Sequence, residues 1–409
     1  MELPERQGVV LRPTESLVFF GGGSMGIQDF FKVMVEKEAS DLYLTVGCPP
    51  MCRIDGSIQP IGDHRFTPLD LAELAKAILS EEQQKEFLEK LEMNLAMALP
   101  GVSRFRVNIF RQRGSIGMVV RRVKVDIPSL DELGLPPILK EIAMTRRGLI
   151  LVVGATGSGK STTLAGMIDH RNSNESGHII SVEDPVEFTH SHKKSIITQR
   201  EVGFDTQSFQ DALKNAMRQA PDVILIGEVR DTETMEAAIT FADTGHLCLG
   251  TLHSTNANQS FERILNFFPE TRHVQVLMQL SLNLRAIISQ RLIPSLKGGR
   301  VVAIEILLDT PRIKDLIKKG EIDTLKEAME QGIQEGCQTF DQALLVLYKE
   351  GQISLEEALA NADSANNLRL KIKLHGLKGD DVKLTDKDEK AKGFQIKGVH
   401  PVGSPARKI

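Results

Sequence analysis

The 409-residue chain is 41% hydrophobic and 25% charged, a globular composition too long for one ordinary core and suited to two or three domains. A formal net charge of −4, no tryptophan and two tyrosines argue against a nucleic-acid partner held by basic charge and stacked aromatics. No run approaches the ~20 apolar residues of a membrane span, so a cytoplasmic protein with no direct membrane insertion is expected.

Residues 1–24 differ in character from the rest of the chain and end in Gly21-Gly-Gly-Ser24. A flexible or non-native segment is expected there, with the functional chain opening at Met25. Residues 25–125 read as an α+β domain. The pattern predicts a helix over 27–38, a strand over 40–45 and a hairpin over 50–60 that turns at Asp55-Gly56. A single helix over 68–92 comes next, then strands over 103–110 and 116–123 joined by a basic turn. Residues 126–137, with Pro128, Pro136 and Pro137, mark a linker. From 138 to 310 the pattern alternates. Strands are expected at 148–153, 178–182, 222–226, 247–251 and 301–307, and helices at 160–171, 208–218, 231–242, 258–266 and 272–290. Apolar runs such as Val223-Ile-Leu-Ile226 imply a parallel sheet covered on both faces. Residues 311–373 read as all helical, and the charged stretch 374–409 as a disordered tail. Cys48 and Cys52 form one close pair, but with Cys248 and Cys337 they complete no zinc tetrad, so reduced thiols are expected.

One segment carries the most information. The apolar run Gly148–Val153 leads into Gly154-Ala155-Thr156-Gly157-Ser158-Gly159-Lys160-Ser161, and a helix opens at Lys160-Ser161-Thr162. This is a complete phosphate-binding loop in its strand-turn-helix setting. The glycines allow successive N–H groups to turn inward around an anion, and the helix N-terminus adds partial positive charge. Lys160 can reach the β- and γ-phosphates of ATP, and the Ser161 hydroxyl can hold Mg²⁺.

Four further clusters gain meaning beside it. Val223–Ile226 ends in Gly227-Glu228, a Walker B strand that places one carboxylate, Glu228, where many such strands place an Asp-Glu pair. Glu183-Asp184-Pro185-Val186-Glu187 lies after another strand and can orient or deprotonate water, or can simply be a solvated turn. His246 and His253 bracket a strand at odd spacing. A phosphate-sensing role suits them better than zinc, and a structural role at the strand ends is the plain alternative. Arg104, Arg106, Arg111 and Arg113 have the planar guanidinium chemistry that suits a γ-phosphate, or they form a solvated basic hairpin.

In this order the clusters resemble the secretion ATPase superfamily, and within it the PilT/PilU retraction ATPases of type IV pili. Ser40-Asp41-Leu42, Arg104-Phe-Arg-Val-Asn108, Gln199-Arg-Glu-Val202 and Ile288-Ser-Gln290 are family-like stretches. The resemblance implies a PAS-like domain followed by a RecA-like P-loop NTPase domain, in a homo-hexamer that couples ATP hydrolysis to pilus retraction. It also implies an inner-membrane platform protein as partner. By position, Glu187 becomes the candidate general base, Glu228 the Walker B glutamate, His246 and His253 the histidine-box pair, and the four arginines finger candidates. Pro311–Lys319 departs from the PilT-type helical signature, and the stretch Ala362–Leu370 looks more like the PilU type, an accessory motor acting with a PilT-type partner. The competing functions are a PilT-type main motor, a nucleic-acid motor on the same core, and a slowly hydrolysing regulatory subunit.

Overall fold

The computed structural model describes residues 18–20, 23–54, 56–99, 102–123 and 126–374. The functional chain was expected to open at Met25, and two short strands are described around that point. A short ribbon pairs β1 (Val18–Phe20) antiparallel with β2 (Gly23–Met25). The rest of the expected N-terminal segment, and the expected tail beyond Leu374, lie outside the described residues.

The first domain packs α1 (Ile27–Glu36), α2 (Pro68–Ile78) and α3 (Glu81–Lys90) with a six-stranded antiparallel sheet. Its strands are β3 (Asp41–Leu44), β4 (Met51–Ile54), β5 (Ser57–Pro60), β6 (Glu92–Leu99), β7 (Ser103–Gln112) and β8 (Ser115–Val123), in the order β5-β4-β3-β8-β7-β6. Phe31 of α1 stacks on Phe105 of β7 with ring centroids 4.0 Å apart, at the centre of this core. The expected helix over 68–92 is two helices. Leu79 turns extended and ends the first, and Ser80 caps the second, accepting the Gln83 N–H, while the Gln83 side chain accepts the Ser80 N–H. The expected helix also ran into a strand, because Met93, Leu95 and Met97 alternate into the core as β6 pairs with β7.

The second domain is an α/β layer built on a seven-stranded sheet. In chain order its elements are α4 (Ile138–Ala143), β9 (Gly148–Val153), α5 (Lys160–Asn174), β10 (His178–Glu183), β11 (Ile196–Glu201), α6 (Phe209–Ala216), β12 (Val223–Ile226), α7 (Thr232–Asp243), β13 (Leu247–Leu252), α8 (Ala257–Asn266), α9 (His273–Asn283), β14 (Leu284–Pro294) and β15 (Arg300–Leu308). The strand order is β11-β10-β12-β13-β9-β14-β15, parallel except for β15. Two strands were not expected. β11 extends the sheet at one edge, and β14 occupies the second half of the expected helix 272–290. Leu284 takes an extended backbone, and the chain pairs beside β9 with Ile287 and Ile288 buried on opposite faces. Both faces of the sheet are covered, one core holding α7, α8 and α9 and the other α4 and α5. The last helices, α10 (Pro311–Lys319), α11 (Leu325–Gln331), α12 (Phe340–Lys349), α13 (Leu355–Ala360) and α14 (Ala365–Leu374), fulfil the helical expectation, and α12, α13 and α14 share a small core with β15. Among the described residues no helix is long and apolar enough to cross a membrane. All four cysteines are unpaired.

Candidate active site

Four neighbouring parallel strands, β10-β12-β13-β9, end at one edge of the sheet. Their register aligns Val182 with Ile226, Ile226 with Gly250, and Leu252 with Val153. The segments after these strands therefore emerge side by side: the acidic cluster, Gly227-Glu228, Ser254 with its preceding His253, and the phosphate loop. This is where ligands sit in open α/β sheets. A cavity of about 440 Å³ opens among them, lined by Lys160, Ser161, Glu183, Glu187, Glu228 and His253.

The loop itself is shaped for an anion. Gly157 and Gly159 have φ of 77° and 93°, and a side chain on Gly154 would collide with Ser158 Oγ and stand 2.8 Å from the Gln290 carbonyl. Lys160, first residue of α5, lies across its own loop and donates to the carbonyls of Gly154 at 2.9 Å and Ala155 at 3.0 Å. Desolvation lowers the pKa of this ammonium, opposed by the negative charges of Glu228 and Glu187. Both carboxylates therefore act on the lysine that would face the phosphates. Glu228 also lies 3.5 Å from His253 Nε2. Burial lowers the His253 pKa, the Lys160 charge adds to that, and Glu228 opposes it, so the imidazole is neutral at neutral pH.

Gly227 explains why the Walker B strand carries one carboxylate. Its N–H donates to the Val182 carbonyl at 2.8 Å, and its own carbonyl accepts the Thr251 hydroxyl at 2.5 Å. A Cβ there would stand 3.0 Å from Glu183 Cα and 3.2 Å from the Val182 carbonyl, so no aspartate fits without moving the neighbouring strand.

Glu183 belongs to the acidic cluster by sequence, but its setting differs from that of Glu187. Burial pushes its carboxyl up to about 7, against hydrogen bonds from Ser181 and Gln199 that favour the charged form. Glu187 is exposed to the cavity. The segment that follows Glu183 and carries Glu187 is held by two side chains of β11. Gln199 accepts the His190 N–H and donates to the Phe188 carbonyl, and Glu201 accepts the Val186 N–H at 3.1 Å. The stretch Gln199–Val202 stood out in the sequence as family-like, with no role attached.

One expectation is corrected. His246 precedes β13 at the opposite end of the sheet, where its carbonyl accepts the Gly148 N–H and its ring meets Thr244 and Phe241. A six-residue strand spans about 20 Å, so His246 cannot touch a nucleotide held by its own phosphate loop. The four arginines also do not line the cavity. Arg106 pairs with Glu201 at 3.1 Å. Arg111 donates to the Gly114 carbonyl and lies over Phe87, Arg113 sits in the turn with φ 48°, and Arg104 is on β7 opposite Ala98 and Val123. Arg121, which the motifs did not single out, feels the Glu187 charge while holding Asp41 at 2.8 Å. Its place on β8 opposite Arg106 was legible only once the strands were paired.

Comparison with known proteins agrees with this geometry. The family model for the type II/IV secretion system protein matches residues 92–339. The chain is 54% identical over 351 residues to the type IV pilus ATPase PilU of Pseudomonas aeruginosa, covering 86% of this chain and 92% of that one. It is 41% identical over 343 residues to the type IV pilus retraction ATPase PilT of the same organism, covering 84% and 100%. A crystal structure of the pilus retraction motor PilT with bound ADP matches with a TM-score of 0.79 at 43% identity, over 85% of this chain and 100% of that one. A RecA-like sheet, an intact phosphate loop and similarity along most of its length make this chain a member of the type II/IV secretion-system ATPase family, in the PilT/PilU branch of type IV pilus motors.

Proposed function

We propose that the chain works as a homo-hexameric motor that hydrolyses ATP with Mg²⁺ to drive type IV pilus retraction, in the accessory PilU-type role beside a PilT-type motor and against an inner-membrane platform protein. The convergence of the phosphate loop, Glu187, Glu228 and His253 on one cavity carries the ATPase mechanism. The higher identity to PilU than to PilT supports the accessory role.

The triphosphate lies along residues 154–161, where its oxygens are stronger acceptors for Lys160 than the loop carbonyls of Gly154 and Ala155. Ser161 and Glu228 offer a hydroxyl and a carboxylate to Mg²⁺. When bound, that ion neutralises charge on the β- and γ-phosphoryl oxygens. Glu187 accepts a proton from the water that attacks the γ-phosphorus, and the bond to the bridging oxygen of ADP breaks. His253, beside Glu228, would sense the γ-phosphate. Arg104, Arg111 and Arg113 stay candidates for fingers that act across a subunit boundary.

Purified Lys160→Ala and Glu228→Gln should lose turnover, and near-normal ATPase in Glu228→Gln would overturn the assignment. Pilus retraction in a deletion strain complemented with this chain tests the role. Rescue should require an intact PilT-type partner, and full rescue without one would refute the accessory reading.

A further inference from the structure

A row of charged side chains crosses the first domain and ends on the second. Arg53, Asp41, Arg121 and Arg106 are successive cross-strand partners on β4, β3, β8 and β7. Asp41 is buried and takes Arg121 at 2.8 Å and Arg53 at 3.5 Å. Arg106, the last of the row, has its Nε 3.1 Å from Glu201 Oε1 on the edge strand of the nucleotide domain, an ion pair without a hydrogen bond between these two atoms. Glu201 is 1% exposed, and its other oxygen accepts the N–H of Val186, the residue before Glu187. The loop that carries Glu187 is thus fastened by Gln199 and Glu201, and the ion-pair partner of Glu201 comes from the other domain.

We infer that Arg106 and Glu201 are positioning residues that make the placement of Glu187 depend on docking of the first domain. This rests on Glu187 being the general base. A buried carboxylate that loses its guanidinium partner is driven to turn toward solvent. That movement weakens the charge-assisted bond to the Val186 N–H and frees the loop. Phosphate binding needs none of these contacts, so the effect falls on turnover.

Steady-state ATPase assays of Arg106→Gln and Glu201→Gln test this. Each should lower kcat by at least about ten-fold while KM for ATP stays within about two-fold, the pattern of a lost transition-state contact. The double variant should be no slower than the poorer single one, since both cut the same link. Arg106→Lys should recover part of the rate. A second readout stands apart from catalysis. The chain has no tryptophan, so Phe188→Trp places a lone reporter in the loop. Acrylamide quenching of that reporter should rise when Arg106→Gln is added. Unchanged quenching, additive losses, or a raised KM with kcat intact would each overturn the inference. Wild-type turnover in Glu187→Gln would instead remove the general-base reading, and the tryptophan signal would still decide whether Arg106 holds the loop. Fluorescent-nucleotide binding and melting temperature confirm that each variant is folded.

Discussion

Replacing Gly227 with aspartate would recreate the two-carboxylate Walker B ending and should damage the protein. The residue is pinned from both sides, by the Val182 carbonyl at 2.8 Å and by the Thr251 hydroxyl at 2.5 Å. A new Cβ would lie 3.0 Å from Glu183 Cα, 3.2 Å from the Val182 carbonyl and 3.3 Å from Glu183 Cβ. Two of these neighbours are backbone atoms of a buried parallel strand, so they must shift by a few tenths of an ångström. Overpacking of this kind costs about 1–3 kcal/mol. For a cooperative unit of 150–250 residues, about 2 kcal/mol lowers the melting temperature by about 4–8 °C. Gly227→Ala isolates this steric cost. Gly227→Asp adds a like charge beside Glu183, whose carboxyl burial already holds toward the neutral form, so its loss should be larger. Because the strand that must move leads into the loop carrying Glu187, kcat should fall by at least about ten-fold in both variants. Thermal unfolding and steady-state ATPase measurements decide the matter. An aspartate variant with wild-type melting and turnover would refute the steric explanation for the missing carboxylate.

Gly154→Ala should abolish nucleotide binding, because its Cβ would collide with Ser158 Oγ and stand 2.8 Å from the Gln290 carbonyl; calorimetric titration with ADP checks this, and wild-type affinity would contradict it. Glu183 makes stability depend on pH. Its carboxyl moves from 4.5 to about 7 on folding, so the native state holds a proton that the unfolded chain releases across this window. The resulting stabilisation is full below about pH 4.5 and lost as pH rises through about 7, at most about 3 kcal/mol. Glu183→Gln removes that dependence, so its melting temperature should gain on the wild type between pH 5 and pH 8, and parallel pH profiles would refute the assignment.

Much of the catalytic edge was legible because its signals are local. A phosphate loop is spelled by contiguous residues, and the apolar strands ahead of Gly154 and Gly227 read as buried strands without knowledge of their neighbours. The errors fall where distant pairing decides. No element was expected over residues 93–99, whose Met, Leu and Ala carry no strong strand preference, yet β7 beside them makes them a strand. Residues 284–294 continue a helical pattern until β9 pairs with them. The reading of His246 failed for a related reason. Spacing indicated which faces His246 and His253 would take, but only the parallel register with β9 shows that His246 lies at the wrong end of the sheet. The arginines were read as fingers for a γ-phosphate, and in this structure Arg106 instead meets Glu201, a buried carboxylate on a strand that the hydrophobic pattern did not reveal.

The strand order separates grip from cleavage. β9, β13 and β12 each have neighbours on both sides, so the segments after them are braced within the nucleotide domain, as Val229 is by its N–H to the Thr251 carbonyl. β10 has only β11 outside it, and β11 is the edge. The loop after β10 therefore depends on an edge strand whose buried carboxylate is neutralised by Arg106 of the first domain. The phosphate loop, Ser161 and Glu228 are complete without that domain, whereas the support of Glu187 is not. On this reading nucleotide affinity belongs to the RecA-like domain alone, and the rate of cleavage belongs to the contact between the two domains. A motor needs that division if hydrolysis is to await domain closure.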